Sequence, residues 1–194
     1  MATWSNSASM SKVVYFVATS LDGYIADATG SLEWLTSLEG APEDISHEFM
    51  GTVGVQVMGS TTYEWLIREE NIIAQPEKWS AFFGQMKTVV FSSRELPTPL
   101  GAEIVVLNGS VSEHFSQITH LAGDEVIWVV GGGELATQFL NAGLLDSLEI
   151  TLAPVLLGSG TPLFTELQSR NALQLRESQT HGSFVHLKYD VSSQ

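Results

Sequence analysis

Four segments of the sequence combine glycine with hydroxyl or charged residues, and each follows an apolar run. They are residues 20–26 (SLDGYIA), 58–64 (MGSTTYE), 91–94 (FSSR) and 129–136 (VVGGGELA). Glycine lets backbone N–H groups approach a ligand closely, and the N–H groups that open a helix attract anions. These residue types in this arrangement predict the binding of a phosphorylated ligand.

Each segment suggests a different part of such a site. Residues 59–62 run from a strand into a helix, which predicts an anion-binding helix start. Residues 92–94 offer two hydroxyls and a planar guanidinium, which suit a phosphate monoester. Residues 131–136 have the G-x-G-x-x-A spacing of dinucleotide-binding turns. The Asp22-Gly23 pair predicts a tight turn that opens a mobile flap over the ligand.

The sequence lacks the residues that several other kinds of site require. The sequence contains no cysteine, so disulfides, thiol nucleophiles and cysteine-based zinc sites are excluded. It contains no H-E-x-x-H, G-x-S-x-G or Walker A motif, and its five histidines show no metal-ligand spacing. We therefore predict neither a metal centre nor a hydrolytic triad.

The charge balance limits the partners. The 194 residues carry a net charge of −14, from 8 Lys and Arg against 22 Asp and Glu. A strongly negative surface repels nucleic acids and anionic lipid headgroups, so we expect a small-molecule substrate, no nucleic acid and no membrane. The longest apolar runs, such as residues 126–130, are far shorter than the roughly 20 residues that span a bilayer. The lack of cysteine fits a cytoplasmic location.

Apolar runs and helical patterns predict the elements that position these segments. Strands are expected at residues 13–19, 53–58, 88–91, 104–107, 125–130, 147–153, 173–180 and 184–191. Helices are expected at residues 44–50, 61–68, 110–121 and 134–141, with capping boxes at Thr61/Glu64 and Ser110/Glu113.

This order of elements predicts the fold class. Strands that alternate with helices favour a parallel sheet covered on both faces, and the last two strands read as an antiparallel hairpin. We predict an α/β fold: one three-layer domain at residues 12–191, with a mixed, mostly parallel eight-stranded sheet. Residues 1–11, rich in serine and small residues, are expected to form a disordered arm.

These segments, in this order, resemble the dihydrofolate-reductase-like superfamily, and in particular the C-terminal reductase domain of the riboflavin-synthesis deaminase-reductase. The resemblance covers roughly residues 12–190 and rests on SLDGYIA, MGSTTYE, the triple-glycine turn and the Gly/Pro-punctuated stretch at 143–164. It implies a dihydrofolate-reductase-like fold, NADPH as cofactor and a homodimer. It also implies hydride transfer to a small heterocyclic or carbonyl substrate, such as a pterin or pyrimidine.

The same reasoning assigns roles to individual residues. A proton is expected from water or from a carboxyl group, with Asp22 and Asp44 as the candidate catalytic residues. The expected lining of an apolar substrate pocket is Trp34, Tyr63, Leu156 and Leu157. The expected cofactor-binding residues are Ala18, Asp22, Gly23, Ile25, Gly59, Ser60, Thr61, Thr62, Ser92, Ser93, Arg94, Gly131, Gly132, Gly133, Glu134 and Leu135.

Two positions depart from the family's pattern. Ser60 stands where the family commonly has an arginine on the cofactor phosphate, which leaves open a catalytically silent NADP-binding module. Tyr24 stands where riboflavin-pathway members commonly carry lysine, which disfavours a ribityl-phosphate substrate. The G-x-G-x-x-A spacing by itself also leaves open a Rossmann-type NAD dehydrogenase.

Overall fold

The computed structural model describes residues 11–192, which contain ten strands. In chain order they are β1 (Val13–Ser20), β2 (Tyr24–Asp27), β3 (Val53–Gly59), β4 (Lys87–Phe91), β5 (Ile104–Leu107), β6 (Val126–Gly131), β7 (Ser147–Ala153), β8 (Gly160–Pro162), β9 (Leu173–His181) and β10 (Phe184–Val191). Eight of them form one sheet in the order β5-β4-β3-β6-β1-β7-β10-β9. The pairings from β5 to β7 are parallel, and β10 and β9 continue the sheet antiparallel. The predicted eight-stranded, mostly parallel sheet with its closing hairpin is confirmed.

Helices cover both faces of this sheet. They are α1 (Glu33–Thr36), α2 (Glu43–Met50), α3 (Ser60–Glu69), α4 (Glu77–Phe83), α5 (Val111–Ala122) and α6 (Gly133–Asn141). On one face, α5 and α6 bury residues such as Ile118 and Phe139 against alternate strand residues, among them Val57. On the other face, α3 and α4 bury Tyr63 and Trp79 against the intervening strand residues. The period-2 alternation of strand side chains therefore produces two hydrophobic cores and the three predicted layers.

The second face also carries an aromatic cluster under α2. Phe49 stacks on Phe16 of β1 with ring centroids 4.3 Å apart, and Trp128 of β6 packs edge-on against both. The Trp128 indole N–H also donates to the Phe16 carbonyl at 3.0 Å. This cluster fixes α2 against the middle of the sheet.

Some local predictions need correction. The capping box at α5 is confirmed, because the Ser110 hydroxyl accepts from the Glu113 N–H at 3.4 Å and the Glu113 carboxylate accepts from the Ser110 N–H at 2.7 Å. The capping box expected at Thr61/Glu64 is wrong: α3 begins at Ser60, and among the described residues no side chain caps it. The short elements α1, α4, β2 and β8 had no counterpart in the prediction.

The predicted disordered arm at residues 1–11 lies outside the described residues except for Ser11. Ser11 is buried, and its hydroxyl donates to the Gly123 carbonyl at 2.6 Å, so it packs with the domain. Within residues 11–192, no helix is long and apolar enough to cross a membrane.

Strands β2 and β8 pair antiparallel in a small separate sheet, which packs on the start of α6. The contact is tight at Gly133, where an added Cβ would lie 2.2 Å from the Pro162 carbonyl oxygen. A side chain at residue 133 would therefore push the small sheet away from α6.

Gly133→Ala is expected to destabilise the fold by about 1–3 kcal/mol, because overpacking against backbone forces the two elements apart. Gly51→Ala is the matched control: residue 51 has a helical φ of −65°, and an added Cβ would meet backbone at 3.4 Å, an ordinary contact. Urea unfolding of both variants checks the prediction. Equal midpoints for the two would contradict it.

Candidate functional site

A cavity of about 660 Å³ opens at the carboxyl ends of the parallel strands. Ala18 of β1, Gly59 of β3, Phe91 of β4 and Gly131 of β6 all line it. The helix that follows β3 packs on one face of the sheet, whereas the helix that follows β6 packs on the other. Ligands of α/β proteins bind at such points, where successive connections leave on opposite faces.

Two helix N-termini meet in this cavity. Ser60, Thr61 and Thr62 open α3, and residues 133–135 open α6; all of them line the cavity. In the described part of the chain no side chain caps either helix, whereas α5 is closed by its capping box. The first N–H groups of a helix have no partner within it and carry a partial positive charge. The cavity floor is therefore built to accept an anionic group.

The glycine turn between β6 and α6 leaves this floor open. Gly131 has φ +146°, a conformation that favours glycine, and the Gly131–Gly132 peptide bond is cis. A Cβ added at Gly132 would find no described atom nearer than the Thr62 hydroxyl at 3.8 Å. No described neighbour thus requires glycine at position 132, and a Cβ there would occupy the open space of the cavity. This cradle fits a phosphate group, which bonds to backbone N–H groups at close range.

Further hydroxyl and amide groups line the cavity where β4 and β5 end. They come from Ser92, Ser93 and Asn108. Arg94, predicted to join them, does not line the cavity: its side chain is 61% exposed and its guanidinium donates to the Glu64 carboxylate at 2.9 Å. Among the described residues, no Lys, Arg or His lines the cavity.

The segment predicted to form a flap lies in the small sheet of β2 and β8, called the flap below, from which Ile25 and Thr161 line the cavity. Asp22 lies outside the cavity and ties this flap together. Its carboxylate accepts from the Ser20 hydroxyl at 2.7 Å and from the backbone N–H groups of Gly158 at 2.7 Å and Leu157 at 3.1 Å.

These hydrogen bonds, above all that from the Ser20 hydroxyl, lower the pKa of Asp22 to about 2. A carboxyl group with this pKa holds no proton to donate at neutral pH. The structure assigns Asp22 to flap anchoring instead of proton donation. Gly23, which also lies outside the cavity, contributes its carbonyl, which accepts from the Leu163 N–H at 2.9 Å.

The other predicted catalytic and substrate residues also lie away from the cavity. Asp44 is exposed on α2. Tyr63 is fully buried and donates to the Pro97 carbonyl at 2.6 Å, and burial raises its pKa to about 12. Leu156 is 70% exposed, Leu157 is half-buried in the same loop, and Trp34 is half-buried on α1.

Leu32, Leu35 and Trp65 are among the apolar residues that do line the cavity, and we refer to these three as its apolar wall. Trp65 follows Tyr63 by two residues on α3, which turns it by roughly 200° around the helix axis. The buried face thus holds Tyr63, and the cavity face holds Trp65. The helical periodicity could have separated the two residues once the buried face was known; nothing comparable could orient the four-residue helix α1.

The fold and the site define an α/β domain with a cavity suited to an anionic group at the carboxyl ends of its parallel strands. Residues 11–187 match the RibD C-terminal domain family, and the chain belongs to this family of reductase-like domains with the dihydrofolate-reductase-like fold. The alternative of a Rossmann-type dehydrogenase is therefore wrong. The glycine turn follows the sixth strand of the chain instead of the first, and antiparallel strands close the sheet.

Known proteins resemble this chain over nearly its whole length. The uncharacterized protein YwjB of Bacillus subtilis (strain 168) is 32% identical over 178 residues, which cover 92% of this chain and 97% of YwjB. A candidate riboflavin biosynthesis protein from Shewanella sp. PV-4 superposes with a TM-score of 0.76 at 28% identity, covering 95% of this chain and 100% of that chain. A pyrimidine reductase-like protein from Corynebacterium diphtheriae shares the fold with a TM-score of 0.68 at 18% identity, covering 95% and 93% of the two chains.

Asp22→Asn is expected to loosen the flap, because an amide has one acceptor oxygen where the carboxylate has two. The Leu157 and Gly158 amides should lose protection from hydrogen exchange, and Asp44→Asn, on an exposed helix position, should leave them unchanged.

In the wild-type protein the pKa of Asp22 lies below its usual value of 3.8. The ionised Asp22 carboxylate therefore contributes its full share of the folding stability above about pH 4, and this contribution is lost as the pH falls towards 2. An NMR titration that gives the Asp22 carboxyl group an ordinary pKa would contradict its role as the anchor of the flap.

Proposed function

We propose that this protein is an NADPH-dependent reductase that transfers a hydride to a small heterocyclic or carbonyl substrate of pterin-like or pyrimidine-like shape. The observation that carries the proposal is the meeting of two uncapped helix N-termini at an open glycine turn, in one cavity with an apolar wall. The phosphate groups of a dinucleotide match the helix N-termini, and its aromatic rings match the apolar wall. Membership of a family of reductase-like domains supports the same conclusion.

The chain offers a partner for each part of this cofactor. The N–H groups that open α3 and α6 would hold the pyrophosphate, and Gly131 and Gly132 leave it room. Ser92 and Ser93 would bind the adenosine 2′-phosphate, with Arg94 beside them. Ala18 and Ile25 would lie against the nicotinamide. When bound, NADPH would supply a hydride to the carbon of a C=N or C=O bond, whose nitrogen or oxygen would take up one proton, and it would leave as NADP⁺.

The protein's contribution is then to orient the reactants and to exclude water. Leu32, Leu35 and Trp65 form the surface against which a planar substrate would lie, and the flap with Ile25 would cover it. Of the described residues that line the cavity, Glu134 is the one carboxyl group, and it lies at the start of α6 beside the proposed phosphate site. We assign the proton to water.

The homodimer implied by the resemblance belongs to this proposal, and light scattering in solution tests it.

The direct test is calorimetric titration with NADPH, followed by NADPH oxidation with a panel of dihydropterins, pyrimidines and small carbonyl compounds. We expect binding together with turnover of at least one compound class. Gly132→Val serves as the matched variant, because its side chain would fill the cradle. It should retain the fold and lose NADPH affinity. Absence of NADPH binding by the wild-type protein would overturn the proposal.

The Glu64–Arg94 ion pair generates a second prediction. Glu64→Gln frees the guanidinium and should raise NADPH affinity about threefold, because an exposed pair of this kind is weak. Arg94→Gln should lower NADPH affinity several-fold. Neither change should alter NADH affinity, since NADH lacks the 2′-phosphate. Equal effects on the two cofactors would place the 2′-phosphate elsewhere.

A second candidate function is a catalytically silent NADP-binding module. The position that favours it is Ser60, which lines the cavity at the start of α3 where the family commonly places an arginine. This candidate predicts NADPH binding without oxidation by any compound of the panel. In either case Ser60→Arg should raise NADPH affinity by about tenfold or more, as expected for a hydrogen bond between charged groups. No change in affinity would argue against phosphate binding at this helix start.

A further inference from the structure

A second cavity of about 410 Å³ adjoins the main one. The two share Gly30, Leu32 and Trp65 as lining residues, so they lie on either side of the same short wall. Trp65 is half-buried, with one part of its surface available to each cavity. The remaining residues of the second cavity are Thr29, Ser31, Glu33, Thr36, Arg68, Glu69 and Glu70.

The main cavity near this wall is apolar, whereas the second cavity is polar. Leu32, Leu35 and Trp65 present aliphatic and indole surface to the main cavity. A planar ring bound there would contact the surface that also borders the second cavity. A substituent on the side of the ring that faces Trp65 would point towards the second cavity.

Charge in the second cavity favours particular substituents. Its one guanidinium, Arg68, is bound to the neighbouring Glu69, with Nε and Oε1 3.0 Å apart. Glu33 and Glu70 add two more carboxylates, and Glu70 has Lys78 at 3.8 Å. Carboxylates outnumber the guanidinium among the lining residues, and Thr29 and Thr36 add hydroxyl groups. An anionic substituent would be repelled there, whereas a hydroxyl or amino substituent would find acceptors.

We propose that the second cavity is the substituent subsite of the substrate site. Trp65 divides it from the ring-binding surface, and the Arg68–Glu69 pair makes it select uncharged or cationic substituents over anionic ones. The proposal rests on the reductase function proposed above and narrows its substrates to heterocycles that carry a hydroxylated or amino side chain in place of a phosphate or carboxylate. Glu69 acts here as a specificity residue: by neutralising Arg68 it removes the one positive charge that an anionic substituent could use.

Two pterins that differ at one group provide the test: 6-hydroxymethylpterin and 6-carboxypterin. Their own fluorescence gives the dissociation constants at pH 7, with and without saturating NADP⁺. We expect the hydroxymethyl compound to bind about tenfold more tightly than the carboxylate, equivalent to about 1.4 kcal/mol. Equal affinities, tighter binding of the carboxylate, or binding of neither compound would overturn the proposal.

Glu69→Gln tests the residue that sets the selectivity. The variant should bind 6-carboxypterin about threefold more tightly than the wild type, as for release of an exposed ion pair, with unchanged affinity for 6-hydroxymethylpterin. Glu103→Gln is the matched control, since Glu103 is exposed just before β5 and lines neither cavity. An equal gain in both variants would show a general charge effect and overturn the role of Glu69.

Calorimetry with NADPH on the same preparations separates the two proposals. Pterin selectivity without NADPH binding would retain the subsite and reject the reductase. NADPH binding and oxidation together with equal pterin affinities would retain the reductase and reject the subsite.

Discussion

The site depends on how α3 and α6 leave the sheet. Strands β3 and β6 are parallel neighbours, and the helices that follow them pack on opposite faces. Their first turns therefore converge at one crevice, with backbone N–H groups that no described side chain caps. Unpaired N–H groups in a crevice are costly unless water or a ligand satisfies them. The packed cores on both faces of the sheet hold these two helix ends together, and the resulting concentration of partial positive charge makes the cavity suited to an anion.

This arrangement matters more in a chain with a net charge of −14 and only eight Lys and Arg residues. Arg94 and Arg68, the two arginines near the two cavities, are both held by carboxylates, Glu64 and Glu69. The cations are thus committed to ion pairs at the margins, and backbone dipoles supply the attraction inside. Backbone N–H groups point in fixed directions and act over a short range. They would therefore distinguish anions by shape, whereas a flexible lysine would attract any anion. The same arrangement would let a carboxylate such as Glu69 shape the proposed substituent subsite without opposing the proposed phosphate site.

The strands and the glycine-rich segments that line the cavity could be predicted from the sequence because both are local. A run such as residues 147–153 alternates by itself, and the glycine turn carries its own spacing. The flap could not be predicted as a sheet, because β8 has only three residues and its partner β2 lies more than 130 residues away. Glu64 misled the prediction because the same carboxylate can cap a helix or bind a guanidinium, and Arg94 is 30 residues distant. Which of Tyr63 and Trp65 lines the cavity likewise depends on which side of α3 is buried. That is set only when the whole fold is assembled.

The carboxylates around the flap have structural roles that affect the proposed chemistry. Asp22 joins residues 157 and 158 to the first turn, and Asp27 accepts hydrogen bonds from the Thr29 hydroxyl and the Ser31 N–H that shape the lead into α1. These bonds, led by that of the Thr29 hydroxyl, also lower the pKa of Asp27, so both groups are ionised at neutral pH. Neither is a general acid. A reductase with this site would therefore act on a carbon that accepts hydride readily, such as an imine in an electron-poor heterocycle, and would take its proton from water. An electron-poor planar ring is also the shape that the surface of Leu32, Leu35 and Trp65 accommodates.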